Sequence, residues 1–206
     1  MGQVWILCGP IASGKTTVAT FFAEAGAVVL DADKLVDELL EDSAVVKSEL
    51  REAFGNEIFD KLDRPDREAI SRKVFADPAA RARIEGILHP RVLERLEEEA
   101  RTFREKPGGL LLLEVVLWMK LDPPPFPVDG ICLTQAPEKV LLSRAAARRG
   151  MDEHAARSRL KAQEGWKNWS DRADVILNTD QSKEALRETV FSYYRAWTQS
   201  DEGSRE

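Results

Sequence analysis

Cysteine is scarce in this 206-residue chain, which contains only Cys8 and Cys132. Both residues lie inside short apolar runs that resemble buried strands, and we therefore expect them to be reduced thiols in the core. Free buried thiols are typical of proteins that remain in a reducing compartment. The cysteine usage therefore predicts a cytoplasmic location.

The sequence also lacks an excess of positive charge, with 30 Lys and Arg against 36 Asp and Glu, and it lacks long apolar segments. The net charge is −6, which argues against broad binding to nucleic acid or to an anionic membrane but is compatible with a local basic pocket for a phosphorylated substrate. The apolar stretch Leu110–Leu117 is too short to span a bilayer. We expect no signal peptide, because the first apolar run leads directly into a glycine-rich loop. The predicted partner is a small molecule, bound by a monomer or a weak homo-oligomer.

Hydrophobic residues make up 43% of the chain and charged residues 32%, which is typical of a soluble globular protein. The length suits one well-cored domain with a small appendage. Five short apolar runs alternate with helical segments, which favours an α/β fold with a parallel five-stranded sheet flanked by helices. The predicted strands are Val4–Cys8, Ala27–Leu30, Leu110–Val116, Gly130–Thr134 and Asp174–Asn178.

A helical and strongly charged segment separates the second predicted strand from the third. Asp77 is expected to cap a helix that begins at Pro78. The pair His89-Pro90 is expected to end that helix, and a second helix should then cover Arg91–Phe103. We interpret the whole segment, residues 34–107, as a helical substrate-binding insert in a single domain. The predicted core covers about 1–33, 108–140 and 170–198, and a small lid covers about 141–169.

The stretch Gly9–Thr16 fits the phosphate-loop pattern of glycine, four residues, glycine, lysine, and serine or threonine. Glycines allow the backbone to wrap closely, so that its amides point at phosphate oxygens, and the following helix adds its positive end. Lys15 would bridge the β- and γ-phosphates, and the Thr16 hydroxyl would bind Mg²⁺. The residues predicted to contact ATP here are Gly9, Ala12, Ser13, Gly14, Lys15, Thr16 and Thr17. The motif predicts an ATP-dependent phosphotransferase.

Two carboxylates follow predicted strands, at the edge where open α/β sheets bind ligands. Asp33 could accept the proton of an attacking hydroxyl or hold Mg²⁺ through water, or it could simply cap the helix Lys34–Leu40. Glu114 ends a run of four leucines, and it is a candidate Mg²⁺ ligand, directly or through water. Enzymes of this class more often carry aspartate at that position.

Arginines and tryptophans near the predicted lid permit two interpretations each. Arg144 and Arg148 are four residues apart on one helix face, where they could reach the triphosphate or form a solvated basic face. Trp166 and Trp169 could pack the lid or provide a shelf for a base. A single histidine before proline, such as His89, is usually structural.

Several local strings, taken together, resemble the dephospho-coenzyme A kinase family, and the resemblance extends over roughly residues 4 to 190. The matching strings, in chain order, are the phosphate loop, Val29–Asp33, Val74–Pro78, Ile87–Pro90, Arg144–Gly150, Ala162-Gln163 and Ala173–Asn178. The resemblance implies transfer of the ATP γ-phosphate to the ribose 3′-hydroxyl of dephospho-coenzyme A, the last step of coenzyme A synthesis. It also implies ATP and Mg²⁺ as cofactors.

Roles for individual residues follow from the same resemblance. Asp33 would be the base or would orient the hydroxyl, and Lys15 and Arg148 would neutralise the transferring phosphate. The resemblance places further residues as follows: Arg144, Arg148 and Asn178 at ATP, with Asn178 near the adenine, and Phe75, His89 and Leu117 at the acceptor.

The chain departs from the family pattern in two places. Where the family loop usually reads Gly-Gly-Ile-Gly, this chain has Pro10 and Ala12. In the segment after the third strand, Val116 and Lys120 replace a proline and a glutamate. We therefore expect weak phosphorylation of dephospho-coenzyme A, improved by Val116→Pro with Lys120→Glu. A related kinase with another acceptor, or a regulatory protein that binds ATP without catalysis, are the alternatives.

Overall fold

The computed structural model describes residues 1–149, 152–163 and 165–199, without the side chains of Phe75, Arg148 and Arg149. Its strands are β1 (Gln3–Cys8), β2 (Val28–Asp31), β3 (Leu110–Glu114), β4 (Gly130–Gln135) and β5 (Val175–Asn178). Its α-helices are α1 (Lys15–Ala25), α2 (Ala32–Asp42), α3 (Ala44–Phe54), α4 (Arg67–Ala76), α5 (Pro78–Arg104), α6 (Glu138–Arg149), α7 (Glu153–Ala162) and α8 (Lys183–Gln199). Short 3-10 helices cover Gly55–Ile58, Val116–Lys120 and Trp166–Arg172.

The five strands form one parallel sheet in the order β2-β3-β1-β4-β5. β1 lies in the centre, paired with β3 through Leu7 and Glu114 and with β4 through Cys8 and Leu133. The predicted fold class is therefore confirmed, and each predicted strand differs from the observed one by at most two residues at an end. The largest difference is at β3, which ends at Glu114 because the chain then turns into a 3-10 helix.

One face of the sheet packs against α1 and α8. Phe22 and Val190 are fully buried there against strand residues such as Leu7 and Leu112. At the amino end of β1, the Trp5 ring stacks on Trp197 of α8, with ring centroids 3.7 Å apart. The strands β1, β3 and β4 are buried on both faces, which explains why they are continuous apolar runs rather than alternating ones.

The two cysteines are buried and unpaired, as predicted. Burial raises the pKa of the Cys8 thiol to about 12, although Lys15 and Arg172 oppose part of that rise. Burial also raises the pKa of the Cys132 thiol well above its usual range. Both thiols therefore stay protonated at neutral pH and behave as core residues.

The chain divides into two compact units, each with its own packing. The first contains Met1–Leu30 and the described residues from Ala100 onward, and the second is Asp31–Glu99. In the second unit α2, α3, α4 and the first half of α5 surround their own apolar cluster, which includes Leu50 and Ile58. The predicted insert was 34–107.

The predicted helix break at His89-Pro90 is wrong, because α5 continues from Pro78 to Arg104 with Pro90 inside it. Buried residues at Ile84, Leu88, Val92 and Leu96 keep the four-residue spacing of one helix face across the proline.

A side chain also bonds to the turn of the helix that precedes Pro90. The guanidinium of Arg91 donates to the Ile87 carbonyl at 2.6 Å and to the Glu49 carboxylate at 2.6 Å. A proline inside a helix costs roughly 3 kcal/mol or more, and packing along a continuous apolar face can offset that cost.

Within the described ranges, no helix is both long enough and apolar enough to cross a bilayer.

Candidate active site

The glycine-rich loop leaves the carboxyl end of β1 and enters α1 at Lys15, in the middle of the sheet. Gly9 has φ 155° and Gly14 has φ 90°, both in the region that favours glycine. A Cβ atom on Gly9 would lie 2.2 Å from the Thr134 hydroxyl oxygen, which no side chain could tolerate. The two glycines of the motif are therefore required by the backbone itself.

The amino end of α1 is organised to receive an anion. Its N-cap is Gly14, and no side chain caps this end among the described residues. The first intrahelical bond runs from the Val18 N–H to the Gly14 carbonyl at 3.0 Å. The N–H groups in the first turn of an α-helix lie before that bond and point out of its amino end. Together with the positive end of the helix dipole, they suit a phosphate group.

Lys15 lies across the loop. Its ammonium group donates to the carbonyl of Gly9 at 2.9 Å and to that of Pro10 at 3.1 Å. These two carbonyls hold a positive charge beside the helix terminus, from which a flexible side chain can move onto phosphate oxygens.

The back of the loop is held by buried hydroxyl groups that the sequence analysis missed. The Ser13 and Thr134 hydroxyl oxygens lie 2.6 Å apart, and the Thr134 hydroxyl donates to the Cys8 carbonyl at 3.2 Å. The Thr179 hydroxyl donates to the Ser13 carbonyl at 2.7 Å. All three hydroxyl residues are at most 3% exposed. Thr134 and Thr179 lie at the carboxyl ends of β4 and β5, and that position was the available signal.

Arg144 binds the same support. Its guanidinium donates to the Thr179 hydroxyl at 3.0 Å and to the Thr179 carbonyl at 2.8 Å. In this arrangement Arg144 acts on the loop through Thr179 and Ser13, and its contact with ATP stays a prediction. The Ser13 hydroxyl likewise faces the interior and its N–H bonds to the Pro10 carbonyl, so the contact of Ser13 with ATP also stays a prediction. The side chain of Arg148 lies outside the described residues.

The fourth residue of the loop is strained. Ala12 has φ 60°, in the left-handed region that a glycine adopts easily and an alanine does not. The Ser13 N–H bonds back to the Pro10 carbonyl at 3.2 Å, which closes a tight turn around Ala12. At a position where the family pattern has glycine, this chain therefore carries backbone strain.

The two carboxylates of Asp31-Ala32-Asp33 have different positions in the structure. Asp31 is the N-cap of α2, and its carboxylate accepts from the Asp33 N–H at 2.9 Å. The hypothesis that Asp33 caps the helix is therefore wrong, because the cap is two residues earlier. The Asp33 side chain is exposed in the first turn of α2. The role of Asp33 as a base remains a prediction, whereas the capping of α2 is the role of Asp31.

Glu114 is the last residue of β3 and pairs in register with Leu7 on β1. It therefore lies at the sheet edge from which the phosphate loop leaves, and it is partly buried. Among the described residues, no group of three or more acidic, histidine or cysteine side chains could hold a metal ion on its own. Mg²⁺ commonly takes one or two protein oxygens together with phosphate oxygens and water, and the Glu114 carboxylate and the Thr16 hydroxyl are oxygen donors of that kind.

The segment with the second departure, Val116–Lys120, forms a 3-10 helix directly after β3. Trp118 is fully buried and packs edge-on against Phe126, with centroids 4.8 Å apart. Leu117 is half-buried and Lys120 is exposed. The apolar members of the segment therefore anchor it, while the charge at its end faces water.

A cavity of about 410 Å³ opens beside this segment. Its walls are formed by Met119, Lys120, Ala162, Gly165, Asn168, Trp169 and Arg172. The Arg172 guanidinium donates to the carbonyls of Met119 at 3.0 Å and Leu121 at 2.7 Å, which fixes one wall. Trp169 is only 4% exposed and Trp166 packs against α6 and α7, so both tryptophans have packing roles.

The remaining predicted residues lie apart from the loop in sequence. Asn178 ends β5 with an exposed side chain, whose amide oxygen accepts from the Asp180 N–H at 2.9 Å. His89 is half-buried within α5. Phe75 belongs to α4, and its side chain lies outside the described residues. The contacts of these residues with ATP or an acceptor stay predictions.

Comparison with known proteins identifies the family. The family model described as dephospho-CoA kinase matches residues 4–191. A dephospho-CoA kinase of Corynebacterium jeikeium is 32% identical over 195 residues, which cover 91% of this chain and 96% of the relative. The crystal structure of TT1252 from Thermus thermophilus superposes with a TM-score of 0.77 at 29% identity, covering 96% of this chain and 98% of that one.

A second solved structure supports the fold alone. The dephospho-CoA kinase of Campylobacter jejuni superposes with a TM-score of 0.67 at 20% identity, over 96% of this chain and 98% of that one. The family match covers the phosphate loop, α2, the 3-10 segment and β5 together. The predicted resemblance is confirmed: this chain belongs to the dephospho-CoA kinase family.

Proposed function

We propose that this protein transfers the γ-phosphate of ATP to the ribose 3′-hydroxyl of dephospho-coenzyme A. One observation carries the proposal. The glycine loop leads from the central strand into a helix terminus that no described side chain caps, with Lys15 across it, in a chain that matches the family from residue 4 to residue 191. A kinase of this family uses ATP as its phosphate donor.

The chain's residues divide the work as follows. The amides at the start of α1 bind the phosphates, and Lys15 exchanges its two carbonyl partners for phosphate oxygens. Thr16, with Glu114 through water, would hold Mg²⁺, which would neutralise charge on the phosphates. Lys15 adds positive charge where negative charge spreads during transfer.

Asp33 supplies the base. Since Asp31 caps α2, the Asp33 carboxylate is not needed for the cap and can accept the proton of the attacking hydroxyl. Phe75, His89 and Leu117 are proposed to contact the acceptor, Arg148 the transferring phosphate, and Asn178 the adenine side of ATP.

A different alcohol acceptor is the second candidate function. Lys120 borders the 410 Å³ cavity at a position where the family pattern has glutamate. The loop and the base would serve either acceptor equally, so the chemistry of transfer does not depend on this choice.

A coupled ADP-release assay over a panel of alcohol acceptors tests both candidates. We expect dephospho-coenzyme A to give the highest kcat/KM, and phosphorus NMR of the product should show a new phosphomonoester on the ribose. ATP binding without ADP release for any acceptor would contradict the proposal and favour a regulatory protein. Higher kcat/KM for another alcohol would favour the second candidate.

A further inference from the structure

The outer side of the phosphate loop contacts a helix far away in sequence. The Ile11 N–H donates to the side-chain oxygen Oε1 of Gln163 at 2.7 Å, and the two residues are 152 positions apart. The side chains of Ile11 and Ala12 pack against the buried cluster formed by α6 and α7, which includes Leu141, Ala156 and Leu160. The loop tip is therefore held both by apolar contact and by one hydrogen bond.

Gln163 is well placed to act as a fixed acceptor. It is the C-cap of α7, where its own N–H donates to the Leu160 carbonyl at 3.2 Å. Its carbonyl accepts from the Trp166 N–H at 3.2 Å, at the start of the next 3-10 helix. Since both of its backbone groups are bound, a change at the side chain need not move the backbone.

The backbone donors of the loop divide into two groups. Pro10 has no N–H, the Ser13 N–H bonds to the Pro10 carbonyl, and the Ile11 N–H bonds to Gln163. Of the four residues from Pro10 to Ser13, only Ala12 then has an N–H group that takes part in none of the described hydrogen bonds. Ala12 keeps φ 60° between two neighbours whose amides are both bound, and strained backbone of this kind persists only where its surroundings hold it.

We infer that Gln163 is a positioning residue for the phosphate-binding loop: it binds the outward-facing Ile11 amide and so keeps the Ala12 amide aimed at the phosphate site. Gln163 itself does not touch ATP. Its removal leaves the Ile11 amide without its acceptor and allows the turn around Ala12 to relax. The inference rests on the proposed function in so far as the bound phosphate belongs to ATP.

Variants at Gln163 distinguish the effect of the hydrogen-bond acceptor from the effect of side-chain size. Gln163→Met has similar length without the amide oxygen, and Gln163→Asn keeps the amide but is one methylene too short. We expect either variant to raise the Kd for ATP about tenfold, ~1.4 kcal/mol, the size expected for one amide left without its partner. The kcat at saturating ATP should change less than about twofold, because ATP binding selects the held loop. Gln199→Met, on the exposed last residue of α8, is the matched control.

A second measurement reports on the loop without nucleotide. In protein labelled with [15N]isoleucine, the Ile11 amide signal, assigned by its loss in Ile11→Val, should move and exchange faster with solvent in Gln163→Met. Gln163→Glu keeps an oxygen acceptor at the same reach, and its Ile11 signal should stay close to the wild-type protection.

These measurements distinguish the failure of the inference from the failure of the proposed function. An unchanged Ile11 signal and unchanged ATP Kd in both Gln163→Met and Gln163→Asn would overturn the positioning role. Loss of kcat with normal ATP Kd would overturn it too, since that pattern belongs to a catalytic group. The proposed function is tested separately, by acceptor phosphorylation in the wild-type protein.

Discussion

The phosphate loop and the segment Val116–Lys120 leave the carboxyl ends of two neighbouring strands, yet they are specified in different ways. The loop depends on backbone geometry, as the left-handed Gly14 and the lack of room beside Gly9 show. The segment depends on side-chain packing, since Trp118 is fully buried and packs against Phe126. Backbone requirements leave a pattern that a single sequence displays, whereas side-chain packing does not.

The same contrast applies to the energetics of the two regions. The loop must hold charge, and a loss of charge there should affect catalysis strongly. The 3-10 segment exposes its charge at Lys120, where solvent screens it, and substitution there should have a small effect. Four predictions, from the largest expected effect to the smallest, test the loop, the Asp33 carboxylate and the segment Val116–Lys120.

Lys15→Ala should lower kcat by at least about a hundredfold and leave the fold intact, because it removes charge stabilisation from the transferring phosphate. Turnover and Tm should both be measured. Lys139→Ala, at an exposed position near the start of α6, is a control that removes a lysine outside the loop sequence. Near-normal turnover by a folded Lys15→Ala protein would contradict the assignment of the phosphate loop.

Asp33→Asn should lower kcat by roughly a hundredfold with little change in the KM for ATP, since asparagine cannot accept the proton. The Tm should hold, because Asp31 caps the helix. Asp31→Ala is the matched variant, which should cost about 0.5–2 kcal/mol of stability with a smaller effect on kcat. A drop in Tm for Asp33→Asn with an unchanged kcat would reverse the two assignments.

These two predictions also show how far the sequence alone could go. The alternating pattern predicted the sheet, and the motif predicted the loop, because both follow from local rules. The continuous α5 was missed, because packing along its apolar face outweighs the proline, and only the fold brings that face together. The capping role of Asp31 was open to prediction, but the neighbouring Asp33 was an equally plausible cap.

The support behind the loop could not be predicted in the same way. Thr134, Thr179 and Gln163 are far from the loop in sequence, and the sheet and α7 bring them to it. Their side chains are common ones with no distinctive spacing. A residue that acts on a site through another residue is therefore found from its contacts in the structure. Gln163 is an example, because the string Ala162-Gln163 resembles the family but does not reveal the bond to Ile11.

Lys120→Glu should change the KM for dephospho-coenzyme A by less than about fivefold, with kcat unchanged. The sequence analysis expected a larger gain from Val116→Pro with Lys120→Glu, but Lys120 is exposed and Val116 already starts a 3-10 helix. Because the acceptor is anionic, we now expect the KM to rise, and to rise less at high salt. Lys120→Gln should give about half the effect. A tenfold or larger fall in KM for the double variant would restore the original expectation.

Ala12→Gly should change stability rather than chemistry. An alanine in the left-handed region costs about 1–2 kcal/mol, and glycine removes that cost but adds about 0.4–1 kcal/mol of unfolded-chain entropy. The net gain should be roughly 0.5–1 kcal/mol, measured by denaturant unfolding at constant m-value. Ala147→Gly, on an exposed position of α6, is the matched control and should lose about 0.5–1 kcal/mol instead. If Ala12→Gly destabilises the protein as much as Ala147→Gly does, Ala12 is not strained. If Ala12→Gly stabilises the protein but weakens ATP binding, the strain at Ala12 belongs to the mechanism of phosphate binding, because the released loop then has more conformations from which ATP must select one.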